Sequence, residues 1–145
     1  MSSGKIIAVC TSETKGTPKS DVGSGVLQEG FGLVGDAHGG DWHRQVSLLS
    51  IEQIRTMQDK GLEVGPGSFA ENITTEGFNL GLVKVGDRIR VGRSVVLEVT
   101  QIGKECHTRC AIYNTVGECI MPEQGVFTRV VNGGAIKVGD SIELD

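Results

Sequence analysis

A chain of 145 residues suits one domain, large enough to bury a core without disulfide or metal staples. Its formal charge of −4, from 14 Lys and Arg against 18 Asp and Glu, argues against a general binder of nucleic acid or of an anionic membrane, because phosphate affinity rests on clustered cations. With 22 Gly beside 3 Pro and no G-X-Y period, the composition predicts many tight turns between short strands and excludes collagen or a low-complexity linker.

Ile6–Cys10 is too short for a signal-peptide core, and no apolar run approaches the roughly 18–20 residues that span a bilayer, so a cytoplasmic protein is expected. Four Cys in such a chain read as buried hydrophobes, metal ligands or reactive thiols sooner than as disulfides. Ile6–Val9 is apolar and β-branched, an opening strand with Cys10 as core. Residues 11–25, rich in Ser, Thr, Gly, Lys and Asp, form a surface loop. Val26–Leu33 reads as a second strand and Gln45–Leu49 as a third. Between them lies the glycine-rich stretch 35–44.

Ser50 followed three residues later by Gln53 is a capping-box pattern, and Gly61 stands where a glycine stop belongs, which predicts a helix over about 50–60. Ile51, Ile54, Met57 and Leu62 recur at helical spacing as its core stripe. Residues 65–77 are turn-rich, with one short helical turn expected. Val83–Val91 and Ile136–Leu144 share KVGD-x-I, an apolar approach, a Gly-Asp turn and an alternating exit strand. Val95–Ile102 alternates as a further strand. Together these elements predict a mainly β, barrel-like single domain over 1–145, with peripheral helix.

Chemistry concentrates in Lys104-Glu105-Cys106-His107-Thr108-Arg109-Cys110, with Cys119 beyond it, directly after the strand ending near Ile102. A thiol on a loop among cations is where a thiolate is stabilised and reachable. Lys104, Arg109 and His107 lower the Cys106 pKa and Glu105 opposes them. The same residues allow a second reading, a structural zinc site of Cys106, His107, Cys110 and Cys119, although C-x3-C-x8-C lacks the paired short spacings of common zinc modules. Residues 35–45 gather Asp36, His38, Asp41, Trp42, His43 and Arg44 among glycines, suited either to close backbone approach to a ligand or to a polar surface loop. Asn72, Thr74 and Thr75 offer hydroxyl and amide groups for phosphate or carboxylate. The sequence contains no phosphate-loop, dinucleotide, metalloprotease or serine-hydrolase motif.

In order, GDAHGGDWHRQVSLLS (35–50), GPGSFAENITTEGFNL (65–80), LVKVGDRIRVG (82–92), LEVTQIGKECHTRCAIY (97–113) and GVFTRVVNGGAIKVGDSIEL (125–144) resemble the MOSC family, named for the C-terminal domain of molybdenum-cofactor sulfurase. The resemblance runs over about 5–145 and implies a MOSC-like β-barrel and a tie to the molybdenum cofactor. It also implies a signature cysteine late in the chain, the position of Cys106. In relatives that bind molybdenum this sulfur ligates the metal, and in sulfurase-type members it is proposed to carry sulfur. Family members often have proline just before that cysteine; here it is Glu105, and Cys110 and Cys119 are additions to the pattern. The expected role is therefore cofactor handling, of the molybdopterin type, with Cys106 and His107 as catalytic candidates and Cys106 as molybdenum ligand or persulfide carrier. Asp36, His38, Arg44, Asn72, Thr74, Thr75, Lys104, Arg109 and Arg129 are the candidates for lining its anionic site. Partners would be proteins of molybdenum-cofactor biosynthesis or molybdoenzymes, with neither nucleic acid nor membrane. The alternative is a non-catalytic interaction module held by zinc.

Overall fold

Along Val95–Ile102 the side chains alternate between buried and part-exposed, and along Arg88–Val91 between exposed and buried, the signature of strands with one face on a core. In the computed structural model, which describes residues 3–14, 18–37, 39–103 and 125–145, such strands close into a barrel. They are β1 (Ser3–Thr11), β2 (Ser20–Asp21), β3 (Ser24–Gln28), β4 (Gly32–Leu33), β5 (Val46–Ser50), β6 (Ile73–Glu76), β7 (Arg88–Val91), β8 (Val95–Ile102), β9 (Val126–Asn132), β10 (Gly134–Lys137) and β11 (Ser141–Leu144). The order β11-β7-β8-β9-β5-β6-β1 is sealed by β1 pairing with β11, Ser3 opposite Glu143, which gives a mainly β seven-stranded barrel with a single helix among the described residues. β2 extends β1, and β10-β3-β4 form a small second sheet.

The pairing of β5 with β6 is parallel, so the chain must cross over between them, and α1 (Ile51–Asp59) begins that crossover. Ser50 caps it as the sequence predicts, its Oγ accepting the Gln53 N–H at 3.2 Å, and Gly61 takes φ +91 just after the C-cap Lys60. Ile51, Ile54 and Met57 pack with Leu49, Phe69 and Phe127 in a cluster separate from the larger one formed by Ile6, Leu48, Ile73, Ile89, Leu97, Val99, Val126 and Ile142.

Both KVGD segments form the Gly-Asp turns that the sequence predicts. Gly86 and Gly139 adopt φ +96 and +97, and the Asp at the fourth position accepts the Lys N–H, Lys84 to Asp87 Oδ2 at 2.9 Å and Lys137 to Asp140 Oδ2 at 3.0 Å. Each turn then grips a neighbouring strand in the same way. Gly86 N–H donates to the Val99 carbonyl and Val99 N–H to that of Asp87; Gly139 N–H donates to the Ile6 carbonyl and Ile6 N–H to that of Asp140, all at 2.8–2.9 Å. The expected exit strands follow the turns as β7 and β11, and β10 leads into the second turn. Gly139→Ala should cost about 1–2 kcal/mol through the left-handed backbone alone, read as a lower urea midpoint at unchanged slope.

Two expectations change. Val26–Leu33 is a hairpin, because Glu29-Gly30-Phe31 turns back with Phe31 N–H on the Gln28 carbonyl at 3.1 Å. The turn-rich stretch 65–77 ends in β6, which lies inside the barrel wall.

Candidate functional site

β8 and β9 run together to their ends, with Ile102 opposite Val126, and Gly103 N–H donates to the Gly125 carbonyl at 2.7 Å. Gly103 and Gly125, which flank 104–124 in the sequence, are thus neighbours at one end of the barrel. Beside that point lies a cavity of about 820 Å³ lined by the start of α1 (Ser50, Glu52, Gln53, Arg55), by Glu76–Gly81 and Val83, and by Ile102 and Val126. Its charges are mutually paired: Arg55 reaches Glu76 at 3.3 Å and Glu52 at 4.0 Å, and Lys5 reaches Glu76 at 3.5 Å. What remains is a mostly neutral wall with Phe78, Leu80, Val83 and the Asn79 amide.

A second polar group is buried where the loops after β1 and β4 meet the start of β6. Lys19 Nζ lies 2.6 Å from Asp36 Oδ1 and 3.0 Å from Ser12 Oγ, and neither side chain of the ion pair is exposed. Asn72 Nδ2 donates to Asp36 Oδ2 at 3.0 Å and to the Cys10 carbonyl at 3.1 Å, while its Oδ1 accepts from the Ser47 N–H and hydroxyl. Burial alone would raise the Asp36 pKa. The bonds from Lys19 and Asn72 outweigh it and hold the carboxyl below its usual range. Cys10, also fully buried, goes the other way: burial pushes its thiol up to about 12, with Glu71 and Asp21 adding to the shift, so it is an inert core sulfur as expected.

Of the predicted site residues, Asp36 and Asn72 are in direct contact, Thr74 Oγ1 donates to Glu71 Oε2 at 2.7 Å, and Thr75 Oγ1 is buried with no hydrogen-bond partner among the described residues. Arg129 is exposed on β9 and pairs with Glu98 at 2.6 Å. Arg44 lies over two rings, its Cζ 4.6 Å from the Trp42 centroid and 5.7 Å from that of Phe127. None of these six lines the cavity. His38, Lys104, Cys106, His107, Arg109, Cys110 and Cys119 lie outside the described residues. Among those described, no three His, Cys, Asp or Glu side chains gather to hold a metal, and no helix is long and apolar enough to cross a membrane.

Sequence reasoning took Ser50 only as a cap and passed over Arg55, Asn79, Lys19 and Glu71. Lys19 and Glu71 carry no local signal, since a charge followed by polar residues reads as surface. Glu71 is fully buried. Its Oε2 accepts from Gly67 N–H at 2.9 Å and from Thr74, and burial raises its pKa above the usual carboxyl range against those bonds. A raised acid stabilises the fold fully below its unfolded pKa and loses that contribution as pH climbs through the folded value. Wild type should therefore lose up to ~1.4 kcal/mol per pH unit relative to Glu71→Gln across that window, measured by denaturant unfolding at stepped pH.

A family model described as the MOSC domain matches residues 34–143. No curated protein matches the chain. Among solved structures, the YuaD protein of Bacillus subtilis is 20% identical at TM-score 0.79, over 98% of this chain and 95% of that one. YiiM of Geobacillus stearothermophilus is 18% identical at TM-score 0.72, over 98% and 75%. YiiM of Escherichia coli is 21% identical at TM-score 0.70, over 99% and 69%. At these identities the likeness is one of fold.

Proposed function

The chain belongs to the MOSC domain family, which is associated with molybdenum-cofactor-related proteins, and from that premise we propose that it binds the molybdopterin-type cofactor or a precursor, with Cys106 as molybdenum ligand or persulfide carrier. The observation that supports the reading is the 2.7 Å bond between Gly103 and Gly125, because these two residues flank the stretch bearing Cys106 in the sequence and adjoin Ile102 and Val126 of the 820 Å³ cavity.

The cavity lining suits part of such a ligand. A neutral heterocycle with polar edges matches apolar walls, an Asn79 amide and charges already paired with one another. A phosphate does not match it, and on this reading its charge is met by Arg44, Lys104, Arg109 and Arg129. Bound molybdenum would supply a soft, redox-active centre that favours thiolate. The chain's own part is to keep Cys106 ionised, through Lys104, Arg109 and His107. As a carrier, the Cys106 thiolate attacks the terminal sulfur of a donor persulfide, forming a new S–S bond as the donor thiolate leaves. Cys110 or Cys119 then attacks the Cys106 sulfur, and the outer sulfur departs as hydrosulfide while a disulfide forms, to be reduced by a partner thiol. Asp36 and Asn72 act as positioning residues that join the 34–44 loop to the barrel. Donor and acceptor are proteins of cofactor assembly or molybdoenzymes in the cytoplasm.

Anaerobic purification from a molybdenum-replete host, with elemental analysis and mass spectrometry of Cys106, tests the reading. Stoichiometric molybdenum or a sulfur adduct on Cys106 is expected; a preparation with neither overturns it.

A further inference from the structure

Three arginines pair with carboxylates: Arg55 with Glu52 and Glu76, Arg90 with Asp145 at 3.1 Å, and Arg129 with Glu98. Arg44 finds rings instead. The Trp42 ring lies 4.6 Å and the Phe127 ring 5.7 Å from its Cζ, and its Nε is buried with no hydrogen-bond partner among the described residues. A ring attracts the cation but accepts no conventional hydrogen bond, so these contacts leave the Nε donor unsatisfied.

The setting of this edge is fixed in advance. Gly40 N–H donates to the Phe31 carbonyl at 2.7 Å and Trp42 N–H to that of Gly40 at 3.0 Å. His43 is held to β8, its Nε2 2.9 Å from Gln101 Oε1 and its carbonyl bonded by the Thr100 hydroxyl. On the other side of Arg44, Gln45 Oε1 accepts the Val130 N–H at 2.9 Å. A fork held on both sides loses little conformational freedom when a ligand arrives. Phe127, under Arg44, pairs with Gln101 one step from the Ile102 and Val126 pair that borders the cavity.

We propose that the Arg44 guanidinium, set against Trp42 and Phe127, is a recognition site for the terminal oxygens of a phosphate group. Its parallel donors match an oxyanion bidentately, and the choice of phosphate over carboxylate rests on the proposed cofactor role. Trp42 is the chain's single Trp and sits against the guanidinium, so its fluorescence reports occupancy.

The test titrates the full chain with inorganic phosphate, with phenyl phosphate and with acetate at constant ionic strength, following Trp42 emission, and repeats the phosphate arms by phosphorus NMR because changing Arg44 alters Trp42 itself. Saturable binding of phosphate but not acetate is expected, about tenfold weaker in Arg44→Lys, which keeps the charge but not the fork, and lost in Arg44→Gln. Tighter binding of phenyl phosphate identifies a phosphate carried on a larger molecule, and equal binding the free ion. No saturable response in wild type, an equal response to acetate, or unchanged binding by Arg44→Gln overturns the assignment. A Cys106→Ser protein that keeps molybdenum and cofactor sinks the proposed role of Cys106 without touching this site, and undisturbed phosphate binding by Arg44→Gln does the reverse.

Discussion

Cys106→Ser is expected to purify folded, with wild-type far-UV circular dichroism and urea midpoint, yet with molybdenum and sulfane sulfur both below detection. A hydroxyl ionises far above neutral pH and is a hard donor, so serine replaces neither a soft ligand nor a nucleophile that holds sulfur through an S–S bond. The fold is expected to tolerate the change because β8 and β9 are joined below the segment, through their ladder and the Gly103 to Gly125 bond. Cys110→Ser and Cys119→Ser separate the two chemistries. If Cys106 is a ligand, both keep molybdenum at wild-type level. If it is a carrier with a resolving thiol, one of them accumulates the persulfide and slows its release.

Lys19→Met is expected to destabilise the protein by about 3–5 kcal/mol, well beyond the cost of Gly139→Ala, because it leaves the Asp36 carboxylate buried without its cation. Adding Asp36→Asn should recover part of the loss, since an amide oxygen still accepts from Ser12 N–H or Asn72 without carrying charge into the interior. The pH dependence has a definite sign. Lys19 and Asn72 hold the folded pKa of Asp36 below its unfolded value of about 3.9, so the stabilisation is complete above that value and disappears as pH falls through the folded one. Urea unfolding from pH 7 downward should show wild type converging on Asp36→Asn at the acid end, and parallel curves would contradict this account.

Where local chemistry decides the structure, it could be read directly. Ser50 with Gln53 set the start of α1, and the two Gly-Asp turns follow from a positive φ that glycine supplies and an N–H that the aspartate accepts. β6 is hidden in the sequence because Thr74 and Thr75 look like surface residues, although both are wholly buried in a wall between β5 and β1. Lys19 and Asp36 are 17 residues apart, and only the folded loops bring them together. Asn72 stands out for its amide, but sequence does not distinguish a group that faces ligand from one that spends its hydrogen bonds on Ser47, Cys10 and Asp36. The five motifs in order carry the family. The cavity by contrast joins the start of α1, with Ser50 and Arg55, to Asn79 and to Ile102 and Val126, separate stretches of chain with nothing in common until the barrel closes.

Pairing of β1 with β11 puts Ser3 opposite Glu143, so the last stitch of the cylinder joins strands that almost the whole polypeptide separates. Ring formation over so long a span is entropically costly and must precede the reward from the contacts it creates. The hoop therefore cannot be assembled by halves. A nascent chain exposes the apolar inner sides of its early strands until the final one arrives, which makes the interval before closure, more than the finished molecule, the period of greatest danger from self-association.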